Sequence, residues 1–279
     1  MRICIICICL FLADISNAQL VDSTFAPDQT ETDWGIVKSI PRDAWQFVSL
    51  PARWDNRQWF TASGLIVTTA ALMFADEPIR NFMQSNRSNF TDDISYVAEW
   101  GGPKISMGLA TSYLLGSAIK DEKLRKASLL SLTSILVSGG LVQIMKQSFS
   151  RVRPFEASNQ WQFNGPFSEF GRHTSFPSGH ASTAFAVAAV FSTVYDTHFV
   201  KILSYSLASL TALSRVNDDV HWASDVFVGA VLGTLTGKFI AKQHMRNRAS
   251  SPTISLNPTI LNIAGQSGYG LSLRVSLKQ

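Results

Sequence analysis

Residues 177–195 read PSGHASTAFAVAAVFSTVY, a polar tetrapeptide followed by fifteen residues without a charge. The uncharged part is rich in Ala and small hydroxyl residues and is too long for an average strand, so it predicts a buried helix. Pro177, Ser178 and Gly179 stand just before it and read as the helix N-terminus, with Ser178 near the cap. At such an end the unpaired N–H groups and the positive end of the dipole favour an anion, and Gly179 lets the backbone approach it closely. His180 then falls in the first turn, beside that anion.

Fixed cations flank this helix start on both sides. Upstream, residues 146–154 read KQSFSRVRP and carry Lys146 and Arg153; downstream, residues 214–225 read SRVNDDVHWASD and carry Arg215, His221 and Asp225. Three cations around a helix N-terminus describe a pocket for a tetrahedral, doubly charged oxyanion, with the planar arginine forks suited to bidentate contact. His221 and Asp225 are four apart, which predicts one face of a helix, with the carboxylate accepting the Nδ1 proton and Nε2 left free. The two histidines supply a nucleophile and a proton carrier.

The three segments, Lys-x6-Arg-Pro, Pro-Ser-Gly-His and Ser-Arg-x5-His-x3-Asp, resemble the motifs of the type 2 phosphatidic acid phosphatase superfamily. That superfamily also contains bacterial acid phosphatases and vanadate-dependent haloperoxidases. All three motifs are complete and in order, spanning residues 146–225. The resemblance implies a phosphatase acting on phosphomonoesters or pyrophosphates, either a lipid phosphate or a small soluble phosphoester. It makes His221 the nucleophile of a phosphohistidine intermediate, with Asp225 as its partner, and His180 the acid that protonates the leaving oxygen and later activates water. Lys146, Arg153, Arg215, Ser178 and Gly179 would hold the phosphoryl oxygens, with no metal or other cofactor needed. Two other classes share these motifs: a haloperoxidase using the same pocket around vanadate, and a catalytically idle helical protein of the envelope. The complete motif set speaks against the idle reading.

The remaining polar residues have plainer readings. His173, His198 and His244 read as surface or satisfied structural histidines, although His173 lies in the loop before Pro177 and can line an entrance. Asn217, Asp218 and Asp219 suggest a solvated turn ahead of a metal site. Trp34, Trp45, Trp54 and Trp59 suggest packing or interfacial positions.

At 279 residues and 30.7 kDa the chain holds one generous domain plus appendages. A net charge of +4 suits an anionic substrate or lipid surface, while the basic residues form no aromatic-interleaved stripe of the kind nucleic acid requires. Residues 1–18 combine Arg2, an apolar run and Ser16-Asn17-Ala18 before Gln19, which predicts an export signal. Cys4, Cys7 and Cys9 all fall inside it, so a cleaved chain would contain no cysteine.

The organisation expected is therefore a signal at 1–18, a loose to amphipathic segment at 19–58, a helical domain at 59–250 and a β-like tail at 251–279. Within 33–57 the aromatic and charged residues suggest one or two short amphipathic helices. Six mostly apolar stretches follow, at 59–75, 105–119, 127–145, 181–195, 202–214 and 226–237, so the fold class expected is all-α, a bundle of about six core helices. In the tail, Tyr269, Leu271, Leu273, Val275 and Leu277 alternate with polar residues or Gly, predicting a hairpin with 254–263 across a turn at 265–268.

Only 127–145 matches the roughly 20 apolar residues of a membrane span, and mean hydropathy is just +0.12. A cleaved signal also places the start of 59–75 outside, whereas six spans with outward catalytic loops require it inside. The reading favoured is an exported periplasmic domain, soluble or membrane-attached, over a multispan protein with an outward-facing site.

Overall fold

The computed structural model describes residues 32–168 and 174–245, and, for backbone alone, 253–263 and 266–276. The expected signal at 1–18, the stretch up to residue 31 and His173 lie outside the described residues. The chain divides into two units between His244 and Met245.

Eight α-helices occur among the described residues: α1 Asp33–Ser49, α2 Asn56–Ser85, α3 Asn89–Ala98, α4 Ile105–Ala118, α5 Glu122–Phe149, α6 Gly179–Tyr195, α7 His198–Asn217 and α8 Ala223–Met245. The expected all-α bundle is present, and each of the six apolar stretches forms a helix. Five of the six extend beyond their apolar run, because polar caps start them early. Asp55 accepts from the Gln58 N–H while Gln58 bonds back to the Asp55 N–H, a capping box that opens α2, and Asp121 caps α5 through the Leu124 N–H. The short polar helix α3 escapes a reading based on apolar periodicity. It is held by its own box between Ser88 and Thr91.

Helix α6 is the centre of the unit, and residues 181–190 are all buried. It packs against α5 and α7, with Ala208 and Ala212 of α7 meeting Ala181, Ala184, Phe185 and Ala188. Helix α8 comes closer still. A Cβ on Gly229, Gly233 or Gly237 would lie 2.4, 2.1 or 2.4 Å from the carbonyl oxygens of Ser178, Ser182 and Ala186. Glycine at every fourth position therefore lets α8 lie directly on the α6 backbone, as in closely packed membrane helices.

Helices α2, α5 and α8, of 30, 28 and 23 residues, are long and apolar enough to cross a membrane. At about 1.5 Å per residue, even α8 exceeds the roughly 30 Å of a hydrocarbon core. This corrects the count based on uncharged runs, which admitted one such segment: helices continue through capped ends that hydropathy runs stop at. Only 6% of the most apolar stretch of α2 is buried, and Phe60, Ile66, Val67 and Phe74 are exposed on it. Trp34, Trp45 and Trp59 are also exposed, with Trp54 edge-on to Trp59 at 5.1 Å. His198 is exposed, and His244 is a buried structural residue whose Nε2 lies 2.7 Å from Asp43.

In the second unit, β1 Thr253–Ile263 pairs antiparallel with β2 Gln266–Ser276, Ile263 opposite Gln266. Pairing includes Gln266, Ser267 and Gly268, which the sequence reading gave to the turn.

The glycine contact yields a direct expectation. Gly233→Ala places a methyl group against a backbone oxygen that cannot rotate away, and thermal unfolding should show a loss of roughly 1–3 kcal/mol. Gly139→Ala, where a Cβ meets nothing within 4 Å, should leave the melting temperature unchanged or slightly raised. Equal effects at the two sites would contradict the close approach of α6 and α8.

Candidate active site

The close packing of α6 on α8 brings two helix starts side by side. Ser178 caps α6, its Oγ accepting from the Ala181 N–H, and its own N–H donates to the Asp225 carbonyl at 2.9 Å. Asp225 lies in the first turn of α8, and its Oδ2 accepts from the Trp222 N–H at 2.9 Å. His221 precedes that helix. The expectation that His221 and Asp225 share a helix face is therefore corrected: the aspartate reaches back to the helix start, as an acid at the third helical position does, and faces His221 from there. Its Oδ2 is 3.7 Å from His221 Nδ1, beyond hydrogen-bond length, and Nδ1 has no hydrogen-bond partner among the described residues.

The cations arrive from three other elements. Lys146, in the last turn of α5, donates to the carbonyls of Thr174 and Ser175 at 2.6 and 3.4 Å. Arg153, in the loop after α5, is partly buried, and its Nε has no hydrogen-bond partner among the described residues. Burial pulls its pKa down; Glu156 and Asp225 oppose that, and Arg215 adds to it, yet a guanidinium stays charged. Arg215, near the end of α7, is buried and bonds Ser214 Oγ at 3.0 Å and Asp218 Oδ2 at 2.7 Å. Its carbonyl accepts the N–H groups of Val220 and His221, tying the turn before α8 to the end of α7.

His180 lies in the first turn of α6, as expected, against the turn Glu99–Gly101 and the residue after it. A Cβ on Gly102 would lie 2.0 Å from the His180 ring, so only glycine fits beside it. Burial pushes the His180 pKa down to about 4, with the Arg215 charge acting the same way and Glu99 opposing. Burial likewise pushes His221 down to about 4, against the pull of Asp225 and with Lys146 and Arg153 adding to the depression. Both rings are thus neutral at pH 7, so each keeps a lone pair on one of its two nitrogens. At Gly179 an added Cβ would meet only Val142, at 3.7 Å, so no neighbouring protein atom requires glycine there.

All eight residues marked in the sequence come to one end of the bundle. The solvated-turn reading of Asp218 and Asp219 is corrected, because both carboxylates are paired. Asp218 holds Arg215, and Asp219 takes two bonds of 2.6 Å from Arg80 of α2. Sequence reasoning also missed Arg151 and Asp76, both fully buried and paired at 2.8 Å. Arg151 stood inside the quoted KQSFSRVRP segment, and Asp76 is an acid at the edge of an apolar run; those were the available signals.

This helical architecture has known counterparts. Residues 127–249 match the model of the PAP2 superfamily. It is 38% identical over 102 residues to a lipid A 1-phosphatase of Porphyromonas gingivalis, which covers 36% of this chain and 20% of that protein. It is 30% identical over 144 residues to lipid phosphate phosphatase 1 of Arabidopsis thaliana, 42% of this chain and 44% of that one. The chain therefore spans less than half the length of these relatives. The fold resembles the crystal structure of a transmembrane PAP2 type phosphatidylglycerolphosphate phosphatase from Bacillus subtilis, with a TM-score of 0.50 and 23% identity, covering 64% of this chain and 93% of the other.

The depressed histidines have a measurable consequence for stability. A histidine with a folded pKa near 4 and an ordinary value of 6.5 favours folding in its neutral form, so its contribution is full above pH 6.5 and is lost as pH falls toward 4. Thermal unfolding of His221→Gln should lose less stability between pH 7.5 and 4.5 than the unaltered protein, by about 1–3 kcal/mol. An unchanged pH dependence in the variant would show that His221 is not buried as a neutral ring.

Proposed function

We propose that the chain is a metal-independent phosphatase that passes a phosphoryl group from a lipid phosphate to His221 and then to water. The observation that carries this reading is the meeting of Lys146, Arg153 and Arg215 with two neutral histidines at the N-terminus of α6. Three cations and the free N–H groups of a helix start match the charge of a phosphoryl group without a metal. Gly179 leaves room for the phosphoryl oxygens beside the backbone.

In the first step the Nε2 lone pair of His221 forms the P–N bond while the ester P–O bond breaks; His180, neutral in the empty site, takes up a proton from solvent when the bound dianion offsets the surrounding positive charge, and gives that proton to the departing oxygen. His221 becomes cationic, and the nearby Asp225 carboxylate stabilises that charge. In the second step water attacks phosphorus, His180 takes its proton, the P–N bond breaks and His221 recovers its lone pair. Lys146, Arg153 and Arg215 neutralise the equatorial oxygens in both steps.

A lipid substrate is favoured by two facts. The relatives are named for lipid phosphates, and α2 presents an exposed apolar surface suited to a bilayer beside the site. Location in the cell envelope, with the site on the exported side, belongs to the same proposal and rests on the pattern of residues 1–18.

Detergent-purified protein should release phosphate from a lipid phosphate at the same rate in excess EDTA as without it. Strict dependence on added divalent metal would contradict the proposal. Faster turnover of a soluble aryl phosphate than of any lipid phosphate would move the substrate class without disturbing the chemistry.

A further inference from the structure

Helix α2 has one buried residue, and it is a carboxylate. Asp76 is fully buried at the site end of an otherwise exposed apolar helix. A charge in that position is expensive unless it is paired. Its Oδ1 accepts the Ser224 N–H at 2.8 Å, and its Oδ2 accepts Ser224 Oγ at 2.5 Å and Arg151 Nη2 at 2.8 Å. The first of these bonds satisfies an N–H at the start of α8 that no side chain of α8 itself reaches.

Arg151 is equally enclosed. Nη1 donates to Asp225 Oδ1 at 2.6 Å and to Ser224 Oγ at 2.8 Å; Nη2 reaches Asp76 and the Gln160 carbonyl, and Nε also reaches that carbonyl. The rings of Trp222 and Phe163 lie 5.2 and 5.3 Å from its guanidinium carbon. Every nitrogen is engaged, so Arg151 has nothing to offer a phosphoryl oxygen, although it stands between Lys146 and Arg153 in sequence. Its charge is instead shared between two carboxylates, and one of them, Asp225, faces His221.

We propose that Arg151 and Asp76 are positioning residues that fix the orientation of Asp225 and set how much of its negative charge His221 feels. This rests on the role given to His221 above. Arg151 anchors the oxygen of Asp225 that points away from His221, and the Trp222 N–H holds the other. Asp76 draws part of the Arg151 charge away from Asp225 and so leaves that carboxylate more negative. The other charges facing His221 are Lys146 of α5 and Arg153 of the following loop, neither of which bonds Asp76. Asp76 is thus the side chain of α2 that bears on the orientation of Asp225, beside Arg80, which clamps the turn at Asp219.

The two residues should act on His221 in opposite directions. With Asp76→Asn the Arg151 charge falls wholly on Asp225, so the His221 ring, followed by NMR in histidine-labelled protein, should titrate lower by roughly half a pH unit or more. The kcat of this variant should fall about tenfold or more with KM within about threefold, since the substrate contacts are untouched. In the double variant Asp76→Asn/Arg151→Met the buried pair is removed together, a change that folds tolerate, and Asp225 loses its neutralising cation. His221 should then titrate higher than in the unaltered protein while kcat stays low.

Shifts in the same direction, or a folded Asp76→Asn protein with unaltered titration and kcat, would overturn the proposal. So would a double variant that recovers both thermal stability and kcat. If Asp76→Asn alone does not fold, the double variant carries the test. The titrations need no turnover, so they distinguish failure of this inference from absence of phosphatase activity in the unaltered protein.

Discussion

The contact on which the site depends is the one between the backbones of α6 and α8. Gly229, Gly233 and Gly237 form a groove that the carbonyls of Ser178, Ser182 and Ala186 enter, with no side chain between. This closeness allows the Ser178 N–H to bond the Asp225 carbonyl and sets two helix N-termini next to each other. One supplies N–H groups and His180; the other supplies Asp225 and, from the turn before it, His221. A side chain on the ridge would separate the two histidines along with the helices.

Around that contact the molecule gathers like charges. Beyond the effect of burial, the Arg153 charge lowers the proton affinity of Lys146, the Arg215 charge lowers that of Arg153 and His180, and Lys146 and Arg153 lower that of His221, so the cations repel one another. The fold tolerates this through pairings on the outer side of each group. Lys146 rests on two carbonyls, Arg215 on Asp218, and the turn carrying Asp219 is clamped by Arg80. A dianion placed among the cations would relieve the repulsion, which is why the arrangement suits phosphate. The neutral histidines follow from the same surroundings, since burial and nearby positive charge both oppose a further proton.

The sequence made the pocket legible because its residues fall in three short segments whose spacing survives folding. Ser178 as a cap, His180 in the first turn and the apolar helix behind them follow from local rules. What stayed hidden depends on contacts between distant segments. Asp76 and Arg151 are 75 residues apart, and nothing local marks them as partners. The relation of His221 to Asp225 was misread for a smaller reason: a spacing of four fits a helix face, but the helix begins only at Ala223, and the aspartate turns back toward its start. Helix lengths were underread where caps carry a helix beyond its apolar run, and with them the number of helices able to cross a membrane. Gly102, which packs on His180, gave no signal beyond being one glycine of a pair.

The central claim is that phosphorus is bound covalently to His221 during turnover. The most direct measurement is rapid quench into alkali after mixing a radiolabelled aryl phosphate with the His180→Ala protein, followed by mass spectrometry of the labelled peptide. With the proton donor removed and a leaving group that needs little help, the intermediate should form and hydrolyse slowly, with the label on His221. Label on any other residue, or label that persists when His221 is also replaced by Ala, would contradict the account.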